Sequence, residues 1–230
     1  MPDPIQNFPG MASPNRLNPP DTNGDIGPDH FVQMVNVSFA VYSRTGTLLF
    51  GPVNNNTVWG GFGGKCQNNN NGDPIVQYDG LADRWVISQL AVGGVDYYEC
   101  IAVSATPDPL GAYHRYAFNY GNQLPDYPKL GVWPDGYYLT YNMYENGSTF
   151  TGATTCAIER RAMLVGAPAT QQCFQSDDAL SILPSDVDGP TPPPLGSPNY
   201  VLGEGTTSND ALSMYRFAVD WDIPAMSTFT

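Results

Sequence analysis

Asp73-Pro74-Ile75-Val76-Gln77-Tyr78-Asp79, followed by Arg84-Trp85-Val86-Ile87-Ser88, returns 53 residues later as Asp126-Tyr127-Pro128-Lys129-Leu130-Gly131-Val132, followed by Asp135-Gly136-Tyr137-Tyr138-Leu139-Thr140. Each copy sets an acid-headed apolar run against a second apolar run across a turn. A repeat of about 50 residues that holds several short strands is the spacing of a β-propeller blade. One twisted four-stranded sheet cannot bury both of its faces, so blades stack on neighbours around an axis. The echo predicts an all-β chain, a β-propeller with about four blades present.

The rest of the chain divides around these two copies. Residues 1–28 carry Pro2, Pro4, Pro9, Pro14, Pro19, Pro20 and Pro28, which predicts an irregular arm ending in an Asp/Asn loop. Blades are expected over about 29–72, 73–125, 126–187 and 188–230. In the first, strand-like runs cover Phe31–Val37, Ser38–Ser43 and Thr47–Phe50, and a Gly/Asn-rich stretch from Asn54 to Gly72 closes it. In the third, Tyr137–Met143, Cys156–Arg161 and Ala162–Val165 read as strands. A connector with Pro192-Pro193-Pro194 precedes Asn199–Gly203 and Leu212–Val219. The chain stops at Ser227-Thr228-Phe229-Thr230, just after a strand-like run, which suggests a piece of a larger ring. Such a ring would be closed by missing blades or by self-association.

Composition agrees with this class. Twenty-four Gly and 22 Pro leave no room for a long helical period, and the runs between them are rich in Val, Ile, Tyr, Phe and Thr. Twenty-two acids against nine bases give a net charge of −13, which repels phosphate backbones and excludes nucleic acid as the expected partner. Eighteen of the acids are Asp, a short carboxylate suited to turns and cation loops. No apolar run approaches the length of a membrane span, and none precedes Pro2 as a signal segment.

The four cysteines, Cys66, Cys100, Cys156 and Cys173, form no C-x-x-C pair and have no histidine near them. That pattern disfavours zinc and favours disulfides. Cys66 and Cys100 flank one repeat and Cys156 and Cys173 the outer part of the next, so the expected pairs are 66 with 100 and 156 with 173. An oxidising, extracellular location follows.

Three groups of residues are candidates for a site. Asp21-Thr22-Asn23-Gly24-Asp25 alternates oxygen ligands at positions 1, 3 and 5, and Asp29 follows; the spacing fits a calcium loop or, equally, an Asx-turn cluster. Asp73 and Asp126 head equivalent inner strands. In a propeller those strand ends surround one mouth of the axis, where two carboxylates can serve as acid and base on a glycosidic bond. The competing reading is a strand cap that accepts backbone N–H groups. Among the many aromatic residues, Trp133 and Tyr144 stand beside turns and are the candidates for exposed platforms that stack on a sugar ring.

The residues Pro19-Pro20-Asp21-Thr22-Asn23-Gly24-Asp25-Ile26-Gly27-Pro28-Asp29-His30, then Asp73-Pro74 to Trp85, then Tyr127-Pro128-Lys129 to Gly136-Tyr137-Tyr138, carry a resemblance. In these stretches the chain resembles a group of large secreted bacterial proteins with propeller-like regions, known mostly as uncharacterised sequences. The likeness runs from Pro19 to the carboxyl terminus. Two blades also look like the inner strands of five-bladed propeller glycosidases acting on arabinans and xylans, which implies Asp73 or Asp126 as a catalytic Asp. Together these readings predict a secreted, calcium-stabilised module that binds carbohydrate or another extracellular polymer. The alternatives are a glycoside hydrolase with axial carboxylates and a structural or adhesion module.

Overall fold

A computed structural model describes residues 4–177, 179–189, 191–204 and 211–230. Among these residues sixteen strands make four four-stranded antiparallel sheets, each a simple meander in chain order. The first sheet is β1 (Asn23–Ile26), β2 (His30–Val35), β3 (Ser38–Ser43) and β4 (Leu48–Asn54); the second is β5 (Ile75–Asp79), β6 (Arg84–Gly93), β7 (Asp96–Ser104) and β8 (Tyr113–Asn119). The third is β9 (Gln123–Trp133), β10 (Gly136–Glu145), β11 (Thr149–Ile158) and β12 (Gln171–Ser176), and the fourth β13 (Leu183–Pro184), β14 (Asn199–Glu204), β15 (Leu212–Ala218) and β16 (Thr228–Phe229). Two short helices, α1 (Gly64–Asn68) and α2 (Arg160–Met163), interrupt the pattern.

The chain forms two compact units. The first comprises Met1–Tyr78, Asp83–Gly93 and Tyr98–Phe118; the second comprises Asp79–Ala82, Gly94–Tyr97 and Asn119–Thr230.

In the first unit, β2 and β3 offer Val32, Met34, Phe39 and Val41 to Val76, Trp85, Ile87 and Ala102 of the second sheet, with Trp59 and Cys66 filling the same core. These strands read as continuous apolar runs because both of their faces are covered. The other face of the first sheet, with Val35, Ala40 and Tyr42, is covered by Phe8 and Met11 of the amino-terminal arm. Gln33 grips that arm twice: the Met11 N–H donates to its Oε1 at 2.6 Å, and its Nε2 donates to the Met11 carbonyl at 3.2 Å.

In the second unit, Tyr138, Ala157 and Trp133 of the third sheet pack on Phe217 of the fourth. The Phe217 ring meets Tyr138 and Phe174 edge-on at 5.3 and 5.1 Å, the geometry aromatic quadrupoles favour. The opposite face of the fourth sheet is wet. Leu183, Leu202 and Met214 are register partners there, 47%, 42% and 60% exposed.

Both expected disulfides are present. Cys156 and Cys173 are direct cross-strand partners on β11 and β12, and Cys66 ties α1 to β7 through Cys100.

Three local expectations are corrected. The arm contains strand β1 at Asn23–Ile26, because it pairs with β2 and the side chains of Asn23 and Asp25 bond forward to N–H groups of β5. Ala162–Val165 is not a strand: Arg160–Met163 is helical, a run without β-branched residues, stopped by Gly166 at φ +69°. The outer strand of the third sheet is instead Gln171–Ser176, and the fourth sheet begins at Leu183, ahead of the expected boundary at 188.

Candidate functional site

Asp21, Asn23 and Asp25 serve protein donors. The Asn23 Oδ1 accepts the Val76 N–H at 2.8 Å, and the Asp25 Oδ2 accepts the Tyr78 N–H at 2.6 Å. Asp25 Oδ1 takes the N–H of Ile26, Asp21 Oδ2 takes the amide of Asn36, and Asp29 is exposed. The alternation at positions 23 and 25 therefore matches the period of a neighbouring strand whose N–H groups need acceptors. Among the described residues no cluster of three or more His, Cys, Asp or Glu side chains is placed to hold a metal ion. The second unit repeats the device, with the Val132 N–H donating to Asp186 Oδ1 at 2.7 Å.

Asp73 and Asp126 fall in different units, so each has its own surroundings. Asp73 precedes β5 at φ +45°, its N–H held by Asn36 Oδ1 at 2.9 Å. Its carboxylate acts on Glu99 of β7, which is completely buried. Burial pushes the Glu99 carboxyl up to about 8; the Ser88 hydroxyl, at a geometry short of a hydrogen bond, opposes this, and Asp73 adds to it. A protonated Glu beside a second carboxylate is the electrostatic pattern of an acid–base pair. Glu99 has no exposed surface, however, and so presents nothing to a substrate.

Asp126 lies on β9 opposite Asn142 of β10, and two residues back along the strand Leu124 lies opposite Tyr144. Strand periodicity therefore puts Asp126, Asn142, Leu124 and Tyr144 on one face of the third sheet. Between β10 and β11 the register shifts at Met143/Tyr144, which brings Phe150 opposite Tyr144. The bulge sets the two rings 5.5 Å apart on that face, Tyr144 half-buried and Phe150 41% exposed. Asn142 is locked: its Oδ1 accepts the Ser181 N–H at 2.8 Å and its Nδ2 donates to the Ser181 hydroxyl at 3.3 Å. Tyr127, next to Asp126, is exposed under the Lys129 ammonium, 3.4 Å from the ring centre. Glu145, one residue beyond Tyr144, belongs to the opposite face and takes an Asn122 amide at 3.3 Å.

Two sequence-predicted residues, Asp126 and Tyr144, thus share a sheet face, and Phe150 and Asn142 join them. Asn142 is buried and spent on Ser181, so what this face offers a ligand is a carboxylate beside an aromatic pair: the carboxylate can accept hydroxyl protons while a ring face packs on C–H groups. Phe150 was missed because its role depends on a bulge, which leaves no mark in the alternation of residue types. Trp133 is corrected as a platform: it is 8% exposed, sits in the core with Tyr138 and Phe217, and its indole N–H donates to the Ser197 carbonyl at 3.0 Å.

A buried ion pair was also missed. Arg160 donates to both oxygens of Asp79, at 2.6 and 2.9 Å, and the Tyr137 hydroxyl donates to Asp79 Oδ2 at 2.8 Å. The N–H groups of Leu81 and Ala82 donate to Asp79 Oδ1, each at 3.1 Å. Burial and then the Asp79 charge hold the Tyr137 phenol far above its ordinary range, so it stays a donor. With every Asp79 lone pair directed at a protein donor, this group organises the turn after β5 and is not a reactive site.

Comparison with protein-family models, with curated proteins and with solved structures finds no match to this chain.

Proposed function

We propose that this chain is an extracellular β-propeller module, stapled by two disulfides, that binds a carbohydrate polymer without chemistry of its own. The observation that supports this reading is the shared face of Asp126, Asn142, Tyr144 and Phe150 on the third sheet. Sugar rings offer an apolar face of axial C–H groups and a belt of hydroxyls. The ring pair answers the first and the Asp126 carboxylate the second. Glu145 lies on the other face, so a binding role fits the arrangement better than hydrolysis, which needs two carboxyl groups flanking one bond. An extracellular setting is supported by the disulfides, and no described helix is long and apolar enough to cross a membrane. The four meanders support a propeller, whose adjacent sheets stack through faces such as those formed by Val32 and Trp85 or by Tyr138 and Phe217.

The test is affinity electrophoresis of the protein in gels containing xylan, arabinan, cellulose derivatives or chitin derivatives, with a parallel assay for reducing ends. Retardation by at least one polysaccharide is expected, with no release of reducing ends. Tyr144→Ala and Phe150→Ala should each weaken binding about tenfold, in line with loss of a stacking contact. Retardation that neither variant changes, or none in the wild type, overturns the assignment.

A further inference from the structure

The first unit holds a cavity that the carbohydrate reading does not use. It is an open pocket of about 400 Å³, and its walls are Phe39 and Phe50 of the first sheet, Val58 of the turn after β4, Leu110 of the loop before β8 and Tyr113 at the start of that strand. The size and the mostly apolar, aromatic lining are those of a small-molecule site. The lip is rigid without any occupant. The Tyr113 hydroxyl donates to the Pro109 carbonyl at 2.9 Å, Leu110 N–H to Asp108 Oδ1 at 2.9 Å, and Gly111 N–H to the Asp108 carbonyl at 3.1 Å. The Trp85 indole anchors the same loop from beneath by donating to the Pro107 carbonyl at 3.1 Å.

One cation stands in the lining. Arg115 is held in two ways: its Nη1 donates to the Gly60 carbonyl at 2.6 Å, and its guanidinium lies 5.7 Å from the centre of the Phe62 ring. Both contacts fix its direction, and no described residue takes its remaining N–H donors. In a chain with nine bases against 22 acids, an oriented arginine beside an apolar chamber is a selective feature. Guanidinium donors match a carboxylate in fork geometry, and the apolar walls match a hydrocarbon body.

The geometry points to this cavity as a binding site for an amphiphile with an apolar body and a single carboxylate head, the body against Phe39, Phe50, Val58 and Leu110 and the head on Arg115. The occupant is a small monocarboxylate and not a polymer, because the volume and the single cation match one drug-sized molecule with one charged head.

Three ligands of the same chain length separate the contributions: decanoate, decanol and decyltrimethylammonium, each titrated below its micelle concentration and followed calorimetrically and by amide chemical shifts. Decanoate should bind about tenfold or more tightly than decanol, with the ammonium weakest, the spread expected of a charge-assisted hydrogen bond. Shifts should centre on Leu110, Tyr113 and Arg115. Arg115→Gln should bring decanoate down to decanol while leaving decanol unchanged, and Val58→Trp, which fills the chamber, should remove both. Equal affinity for all three ligands, shifts centred elsewhere, or no binding by the wild type overturns the proposal. Because all of these residues belong to the first unit, polysaccharide binding at Tyr144 can succeed or fail independently.

Discussion

Glu99 is a completely buried carboxyl held well above the ordinary carboxylate range, and the sign of that shift is informative. A carboxyl raised to about 8 in the folded chain and near 4.5 in the unfolded one binds a proton in the native state that the unfolded state has lost. Stability therefore falls as pH rises from about 4.5 to 8, by about 1.4 kcal/mol for each pH unit, and levels off above that window. Glu99→Gln, which keeps the shape and cannot ionise, should be close to wild type at pH 5 and clearly more stable at pH 8. Urea midpoints measured at both values decide it; a variant gap that does not widen with pH contradicts a neutral Glu99. Asp79 shows the opposite solution to burial. Arg160, Tyr137 and two backbone N–H groups surround it, an arrangement that replaces hydration at roughly break-even while making loss of either partner costly.

At the scale of strands and turns, β5 depends on β1 for the acceptors of two of its backbone N–H groups. Asn23→Ala and Asp25→Ala should each cost about 1–2 kcal/mol, since each leaves a backbone N–H of β5 without its acceptor. The loss should be the same in calcium and in excess chelator; thermal melts whose variant effect vanishes in chelator would return these residues to a cation loop. Here the limits of legibility are physical. The four meanders and both disulfides could be read from the chain because a 53-residue echo, short β-branched runs and two cysteine pairs are local signals. Strand β1 could not, because Asn, Gly and Asp spell a turn until a neighbouring strand supplies donors. Nor could the helix at Arg160–Met163, four residues whose backbone is set by the Gly166 stop and by the reach of Arg160 to Asp79. At the candidate site, Asp126 and Tyr144 were visible as types, while their common face required the register of β9 on β10.

Over the whole molecule, two sheet faces contrast. The fourth sheet shows Leu183, Leu202 and Met214 to solvent in one continuous row, and apolar rows of this kind drive association even when the net charge of −13 opposes it. The weight-average mass in sedimentation experiments should accordingly rise with protein concentration and with added salt, and Met214→Glu should hold it at the monomer value. A concentration-independent mass in the wild type would show that charge repulsion prevails. On the first sheet the face of Val35, Ala40 and Tyr42 is instead covered by Phe8 and Met11, with Gln33 clasping the Met11 peptide from both sides. A stretch that reads as an irregular arm thus behaves as the cover of one face of the first sheet, so removing the residues ahead of Asn23 would bare Val35, Ala40 and Tyr42 and leave an adhesive surface.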